Sequence, residues 1–340
     1  MIKLNQGKDY LSTFNTETGA YGRVTDPFCC PFPELLDISI IRKCTRKCSF
    51  CYMGSSPDDE GATLSVKDLK KVLDQCGSVF QIALGGGEPT IHPEFVEMLR
   101  TIKEDYNIVP NYTTNGDNLT PEVLEASKKY CGAVAVSVYD LDHTIRASKL
   151  LIRAGVKTNW HWVVSKSTIR DIIKMLKDGV VPEGLNACIF LLHKPVGRGT
   201  EKDNLTIEDP IQELFDTVKS LNIKGGFDAC FMNYIVRYQG DEVDKRLVDF
   251  CDAGRYTAYV DTNLDVKPCS FGQVSYGNLY TDKLTDIWKN KFQPYRDGVL
   301  NSVCKDKGCS KFKDCYSGCP ILPINVCADR GRLLLKEKVL

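Results

Sequence analysis

Between residues 35 and 222, short apolar runs rich in β-branched residues alternate with amphipathic segments about every 25 residues, the rhythm of parallel βα units. The predicted strands are 35–41, 79–84, 108–113, 133–138, 156–164 and 187–192. Helices fit between them. Ser65 is placed to cap a segment over 66–76, and His92-Pro93 opens one that carries Phe95, Met98, Leu99 and Ile102 on one face. Thr120-Pro121-Glu122 supplies a cap and then proline at the first helical position. Six such units predict an α/β fold with a parallel sheet. A closed eight-stranded barrel needs two more units than the sequence offers, whereas an incomplete six-stranded barrel and a doubly wound open sheet both fit the rhythm.

The first strand, Leu35 to Ile41, runs into Cys44-Thr45-Arg46-Lys47-Cys48-Ser49-Phe50-Cys51. Three thiolates at this spacing can hold three corners of a [4Fe-4S] cube and leave the fourth iron without a protein ligand. They follow the C-terminal end of a strand, the end that carries active sites in barrels. The competing readings are a zinc site, which wants a fourth protein ligand when structural, and a disulfide. Sixteen cysteines in a chain whose N-terminus lacks the apolar core of a signal peptide point to metal or redox chemistry. Lys+Arg and Asp+Glu both number 44, so no net basic field draws nucleic acid or anionic membrane, and no apolar run approaches spanning length. A cytoplasmic, reducing setting is expected, with neither nucleic acid nor membrane as partner.

A second motif, Gly85-Gly86-Gly87-Glu88-Pro89, follows the second strand. Glycines let backbone approach a ligand, and carbonyls with a carboxylate can accept hydrogen bonds from an ammonium group, although glycine runs also make ordinary turns. Together, Cys44-x3-Cys48-x2-Cys51 with Phe50 before the last cysteine, and Gly85 to Glu88 after the second strand, resemble the signature of radical S-adenosylmethionine (SAM) enzymes. That resemblance implies an incomplete (β/α)6 TIM-like barrel over 35–222 and a [4Fe-4S] cluster on Cys44, Cys48 and Cys51. SAM would chelate the unique iron and, on reduction, release a 5′-deoxyadenosyl radical that takes a hydrogen atom from the substrate.

The resemblance also implies that Gly85, Gly86, Gly87 and Glu88 receive the amino group of SAM. In relatives, the segments corresponding to Asn115, to Ser137 and to Val163 and Val164 contact the ribose, the methionine carboxylate and the adenine. Arg198, in the turn after the sixth strand, is a candidate for the SAM carboxylate or an acidic substrate group, or a solvated loop arginine. His161 and His193 end strands and read as satisfied polar residues ahead of acid or base. Tyr112, Tyr139 and Asp140 are further candidates for positioning, and no catalytic acid or base can be named.

After Ile223 the composition shifts to Gly, Tyr, Asp and Cys, which places a domain boundary near 222. A hairpin over 255–260 and 266–269 follows Cys251, and the chain closes with Cys304-x4-Cys309-x5-Cys315-x3-Cys319-x7-Cys327. Residues 223–340 resemble the small Cys-rich SPASM extension, which carries two auxiliary [4Fe-4S] clusters. The resemblance assigns Cys251, Cys269 and Cys319 to the first, with Cys230 as candidate fourth ligand, and Cys304, Cys309, Cys315 and Cys327 to the second. Three features depart from the family pattern. The first gap of the final run is four residues instead of two, the hairpin turn has no glycine although Asn263 can take positive φ there at modest cost, and Cys251 has no close upstream partner. Two zinc ribbons are the competing reading of this end. Cys76, Cys131 and Cys188 read as small buried residues, while the roles of Cys29 and Cys30 stay open.

SPASM-type enzymes mostly modify peptides or proteins, so the resemblance implies a maturase acting on a ribosomally made peptide by crosslinking or oxidation. A formylglycine-forming sulfatase maturase or a cofactor-biosynthesis enzyme is the alternative, and a non-catalytic iron–sulfur carrier is the alternative from another class. The implied partners are a peptide or protein substrate and an electron donor such as flavodoxin or ferredoxin. Residues 1–34 read as an N-terminal extension with no room for a peptide-recognition domain, so a leader would bind the barrel mouth or a separate recognition protein.

Overall fold

The computed structural model describes residues 1–25, 27–240, 249–322, 324, 326 and 327. The chain forms two compact units, one of residues 1–47, 55–158 and 253–293, the other of residues 48–54, 159–252 and 294–340.

In the first unit, β4 (Leu35–Ile41), β5 (Gln81–Gly86), β6 (Val109–Thr114) and β7 (Val134–Val138) pair in parallel in that order. Four of the last five residues of β4 and the first three of β7 are buried, as parallel strands covered on both faces should be. The crossover helices are α1 (Val66–Leu73), α2 (Phe95–Arg100) and α3 (Pro121–Tyr130), and α4 (Leu141–Arg153) follows β7. Ser65 accepts the Asp68 N–H and Thr120 the Val123 N–H at the predicted N-caps, and Phe95, Met98, Leu99 and Ile102 are all buried. In the second unit β8 (Thr158–Val164), β9 (Ala187–Leu192) and β10 (Lys224–Phe227) pair in parallel, with α5 (Ile169–Lys177) and α6 (Ile211–Ser220) as crossovers. Ile169, Ile172, Ile173 and Leu176 form the buried stripe of α5, each contributing about 1.5–3 kcal/mol over exposure. In chain order, β4 to α6 make up the six expected βα units.

Three elements differ from the sequence-based expectation. Residues 1–34 contain an antiparallel sheet of β1 (Ile2–Gly7), β2 (Tyr10–Asn15) and β3 (Tyr21–Arg23). Its inner face is tied down by the buried Glu34 carboxylate, which accepts hydrogen bonds from the hydroxyls of Tyr10 (2.5 Å), Ser12 and Tyr21 (3.0 Å). Strand β10 follows the sixth unit, and its Lys-Gly-Gly-Phe sequence hides it from propensity. Beyond Cys251, β11 (Thr257–Val260) pairs antiparallel with β12 (Asp265–Lys267) but also in parallel with β4, so this hairpin extends the first unit's sheet.

The hairpin turn corrects a further expectation, because the residue with positive φ is Leu264 (66°), not Asn263. The Asp261 carboxylate accepts the N–H groups of Asn263 and Asp265 at 2.9 and 3.1 Å and folds the turn one residue later. A left-handed residue costs about 1–2 kcal/mol, an amount that full burial of the leucine side chain offsets with about 1.5–3 kcal/mol. Among the described residues no helix is long and apolar enough to cross a membrane.

Candidate cluster and cofactor site

The glycine motif is packed onto the segment that leads from β4 to Cys44. Gly87 N–H donates to the Ile41 carbonyl at 2.6 Å and Glu88 N–H to the Lys43 carbonyl at 2.9 Å. A Cβ on Gly87 would lie 1.9 Å from the Lys43 oxygen, and one on Gly86, whose φ is 115°, 2.3 Å from the Ile41 oxygen. Both positions therefore require glycine. At Gly85 an added Cβ meets no atom within 4 Å, which leaves open space beside the loop. The Glu88 carboxylate is buried, and burial pushes its pKa up against the pull of its hydrogen bonds. It accepts the Thr90 hydroxyl at 2.6 Å, the Thr114 hydroxyl at 2.7 Å and the Asn115 N–H at 2.7 Å. It thus locks the glycine loop to the end of β6.

Asn115 turns its side chain to the first cysteine, donating from Nδ2 to Thr45 Oγ1 at 2.8 Å and to Cys44 Sγ at 3.6 Å. Ser137, next to last in β7, is half-buried, and its carbonyl accepts the Thr144 hydroxyl at 3.3 Å. Tyr139 donates its hydroxyl to the Asn115 carbonyl at 2.6 Å. Two further sequence candidates have partners within the fold. Tyr112 is buried with its hydroxyl 2.7 Å from that of Ser127, and Asp140 caps α4 by accepting the His143 N–H at 2.9 Å.

In the second unit, the segment from Cys48 to Gly54 is held by the turn after β9. Arg198 donates its backbone N–H to the Cys51 carbonyl at 3.0 Å, Nε to the Cys48 carbonyl at 2.8 Å and Nη1 to the Gly54 carbonyl at 2.6 Å. A Cβ on Gly197 would lie 2.5 Å from the Cys51 oxygen, so loop and turn are in close backbone contact. Val163 is half-buried, whereas Val164 is fully buried and its carbonyl accepts the His193 N–H at 2.8 Å. His193 Nε2 lies 3.0 Å from the Thr200 carbonyl, and burial pushes the His161 pKa down to about 4.

The C-terminal cysteines gather in two groups. Burial pushes the Cys315 thiol up to about 12, and Cys309, Cys304 and Cys327 are near enough to push it the same way. Burial raises the Cys230 thiol well above its usual range, Lys194 pulls it back, and Asp228, Cys319 and Cys251 add to the rise. The Lys194 ammonium is buried against Asp228, with Nζ 2.7 Å from Oδ2, and this pair outweighs the cost of burial in keeping it protonated. Among the described residues no three His, Cys, Asp or Glu side chains converge on one metal ion.

Cys269 follows β12 in the first unit. Cys30 is buried and donates its thiol to the Phe32 and Arg255 carbonyls at 2.9 and 3.1 Å, which fastens the segment before β4. Sequence reasoning missed Thr45, Arg46, Asp117 and His143, which are bonded to one another and to Asn115 beside the first cysteine. The available signal was the placing of a cation inside the cysteine spacing and a carboxylate just beyond Asn115.

Residues 38–181 match the model of the radical SAM superfamily, and residues 251–318 match that of SPASM, an iron-sulfur cluster-binding domain. The chain is 26% identical over 314 residues to mycofactocin maturase MftC of Mycobacterium tuberculosis, covering 84% of this chain and 78% of that one. It also superposes on Streptococcus suis SuiB bound to S-adenosylmethionine, with a TM-score of 0.70 at 21% identity over 86% of this chain and 74% of SuiB. SuiB bound to precursor peptide SuiA gives a TM-score of 0.71 at 20% identity, over 92% and 76%. These structural likenesses show a shared fold.

Proposed function

We infer that this chain, which belongs to the radical SAM superfamily and carries a SPASM iron–sulfur cluster-binding domain, modifies a ribosomally made peptide by a reaction begun with hydrogen-atom abstraction. The observation that carries the reading is the close packing of Gly87 and Glu88 on the Ile41–Lys43 backbone that feeds the cysteine triplet. Cys44, Cys48 and Cys51 hold the SAM-binding cluster. When bound, the reduced cluster and SAM supply a 5′-deoxyadenosyl radical that takes a hydrogen atom from the substrate.

The protein's own residues position these groups. Gly85 faces open space that can take the amino end of SAM, Gly86 and Gly87 let the loop pack on the Ile41–Lys43 backbone, Glu88 holds that loop, and Ser137 and Val163, each next to last in its strand, are further contacts for SAM. Val164 supports Val163 from the core. Asn115 and Arg198 act on the cysteine loop, the first at Cys44 and the second on the carbonyls of Cys48, Cys51 and Gly54. Two auxiliary [4Fe-4S] clusters take Cys230, Cys251, Cys269 and Cys319, and Cys304, Cys309, Cys315 and Cys327. Four thiolates close each against substrate and suit them to accept the electron that leaves the substrate radical. This divides the chain by role into the N-terminal sheet (1–34), the radical-generating part (35–222) and the auxiliary-cluster part (223–340).

A peptide substrate is supported by the maturase MftC and by SuiB bound to a precursor peptide. The reading includes a cytoplasmic setting, a flavodoxin- or ferredoxin-type electron donor and a separate protein that presents the leader. Anaerobic reconstitution with iron and sulfide, then reduction with SAM, tests it. 5′-Deoxyadenosine should form and Cys48→Ala should abolish it, whereas cluster-loaded protein that forms none with or without candidate peptides contradicts the reading.

A further inference from the structure

Arg46 lies inside the cysteine spacing, so any role for it at a cluster rests on the reading that the triplet binds one. Its guanidinium makes a two-point ion pair with Asp117, Nε to Oδ2 at 2.8 Å and Nη2 to Oδ1 at 2.5 Å. The same guanidinium lies over the Tyr139 ring, 4.5 Å from its centroid. Asp117 collects more partners, with Thr45 Oγ1 donating to Oδ2 at 2.7 Å and His143 Nε2 3.3 Å from Oδ1. Its backbone N–H donates to Asn115 Oδ1 at 2.9 Å, and Asn115 in turn directs Nδ2 to Cys44 Sγ. His143 Nε2 and the Tyr139 hydroxyl both meet the Asn115 carbonyl, at 3.0 and 2.6 Å.

Stability does not explain such an arrangement. The Arg46 and Asp117 side chains are 31% and 21% exposed, and ion pairs this open contribute about 0–1 kcal/mol. Geometry does explain it, because each contact fixes either Thr45-Arg46, next to Cys44, or Asn115, whose side-chain Nδ2 faces the sulfur. We propose that Arg46 and Asp117 form a clamp that positions Cys44 as a cluster ligand and holds the Asn115 side-chain amide on its sulfur. The clamp sets the electronic character of the cluster, since an N–H donated to a coordinating sulfur withdraws charge from it and favours the reduced state.

The test uses the full chain, reconstituted without oxygen, with Asp117→Asn, Asp117→Glu and Arg46→Lys. Removing the carboxylate charge or the two-point geometry should lower the rate of 5′-deoxyadenosine formation about tenfold, within the range for residues behind metal ligands. The electron paramagnetic resonance spectrum of the reduced SAM-binding cluster should shift while the auxiliary signals stay in place, with partial recovery in Asp117→Glu. Wild-type spectra and rates in both Asp117→Asn and Arg46→Lys overturn the proposal, as does a lower melting temperature with an unchanged spectrum. If Asp117→Asn fails to fold, Arg46→Lys, which keeps the cation and loses the fork, decides by the same criteria. A wild-type chain that binds no cluster on the triplet overturns the underlying reading, an outcome distinct from wild-type-like variants of a cluster-bearing protein.

Discussion

The first cysteine segment and the C-terminal cysteine run solve opposite problems with the same side chain. Cys44, Cys48 and Cys51 are half-buried; Gly87 and Glu88 donate to the Ile41 and Lys43 carbonyls just before Cys44, and Arg198 donates to the Cys48 and Cys51 carbonyls. Cys304, Cys315 and Cys327 are buried, and Cys315 is pushed up to about 12 by burial and by its neighbouring thiols. Three thiols on a braced, accessible loop suit a cluster that must meet a small molecule. Cys304, Cys315 and Cys327 in the interior, with Cys309 half-buried, suit the proposed cluster that exchanges electrons only. On the proposed assignment ligand count, and not burial or cysteine content, separates the two roles, since Cys230, Cys251, Cys269 and Cys319 are half-buried like the triplet.

The sharpest way to break that comparison is a pair of cysteine variants. Cys48→Ala should abolish 5′-deoxyadenosine formation, a loss of more than about a thousandfold. Cys315→Ala should leave SAM cleavage measurable while peptide product disappears, and lower bound iron from about twelve atoms per chain to about eight. Chromatography of the reduced reaction mixture, with iron analysis, reads both. Equal loss of SAM cleavage in the two variants would erase the distinction.

Next in size is the contrast inside the glycine motif. Gly87→Ala drives a methyl into the Lys43 carbonyl and should cost about 2–4 kcal/mol in thermal or denaturant unfolding. Gly85→Ala meets no protein atom, so its unfolding should match wild type while KM for SAM rises. Arg198→Gln, which removes two charged donors from the Cys48 and Gly54 carbonyls, should lower the 5′-deoxyadenosine rate about tenfold in the same assay.

The smallest effect is a difference in pH dependence. Burial raises Asp37 on β4 to about 6 and lowers His161 on β8 to about 4. The folded state therefore keeps the Asp37 proton longer than the unfolded chain, so stability falls as pH rises from about 4 to about 6. His161 acts in the opposite sense, and its contribution, present above about 6.5, is lost as pH falls toward 4. Asp37→Asn should thus stabilise at pH 7.5 by about 1–2 kcal/mol and have little effect at pH 4. Melting temperatures across that range check the sign, and an Asp37→Asn variant less stable than wild type at pH 7.5 would contradict it.

Much of this was legible in the sequence because it was written in local patterns. The caps at Ser65 and Thr120 and the buried face of α2 follow from spacing alone. So do the triplet and the glycine motif after adjacent strands. The N-terminal sheet was hidden by its polar content, since Asn5, Ser12 and Glu34 are buried as hydrogen-bonded partners and spoil the apolar alternation. Strand β10 was hidden by two glycines. The clamp around Cys44 was invisible for a different reason, because Arg46 and Asp117 meet only once β4 and β6 are paired through β5. Tertiary pairings of exposed charges leave no periodic signature.

The central claim is that three cysteines leave one iron open to SAM. The direct measurement is electron–nuclear double resonance on the reduced protein with SAM carrying nitrogen-15 in its amino group and carbon-13 in its carboxylate. Strong hyperfine coupling of both labels to the cluster, lost in Cys48→Ala, is the predicted result. Absence of coupling in a cluster-loaded sample, or a fourth protein ligand on that iron, would contradict the account.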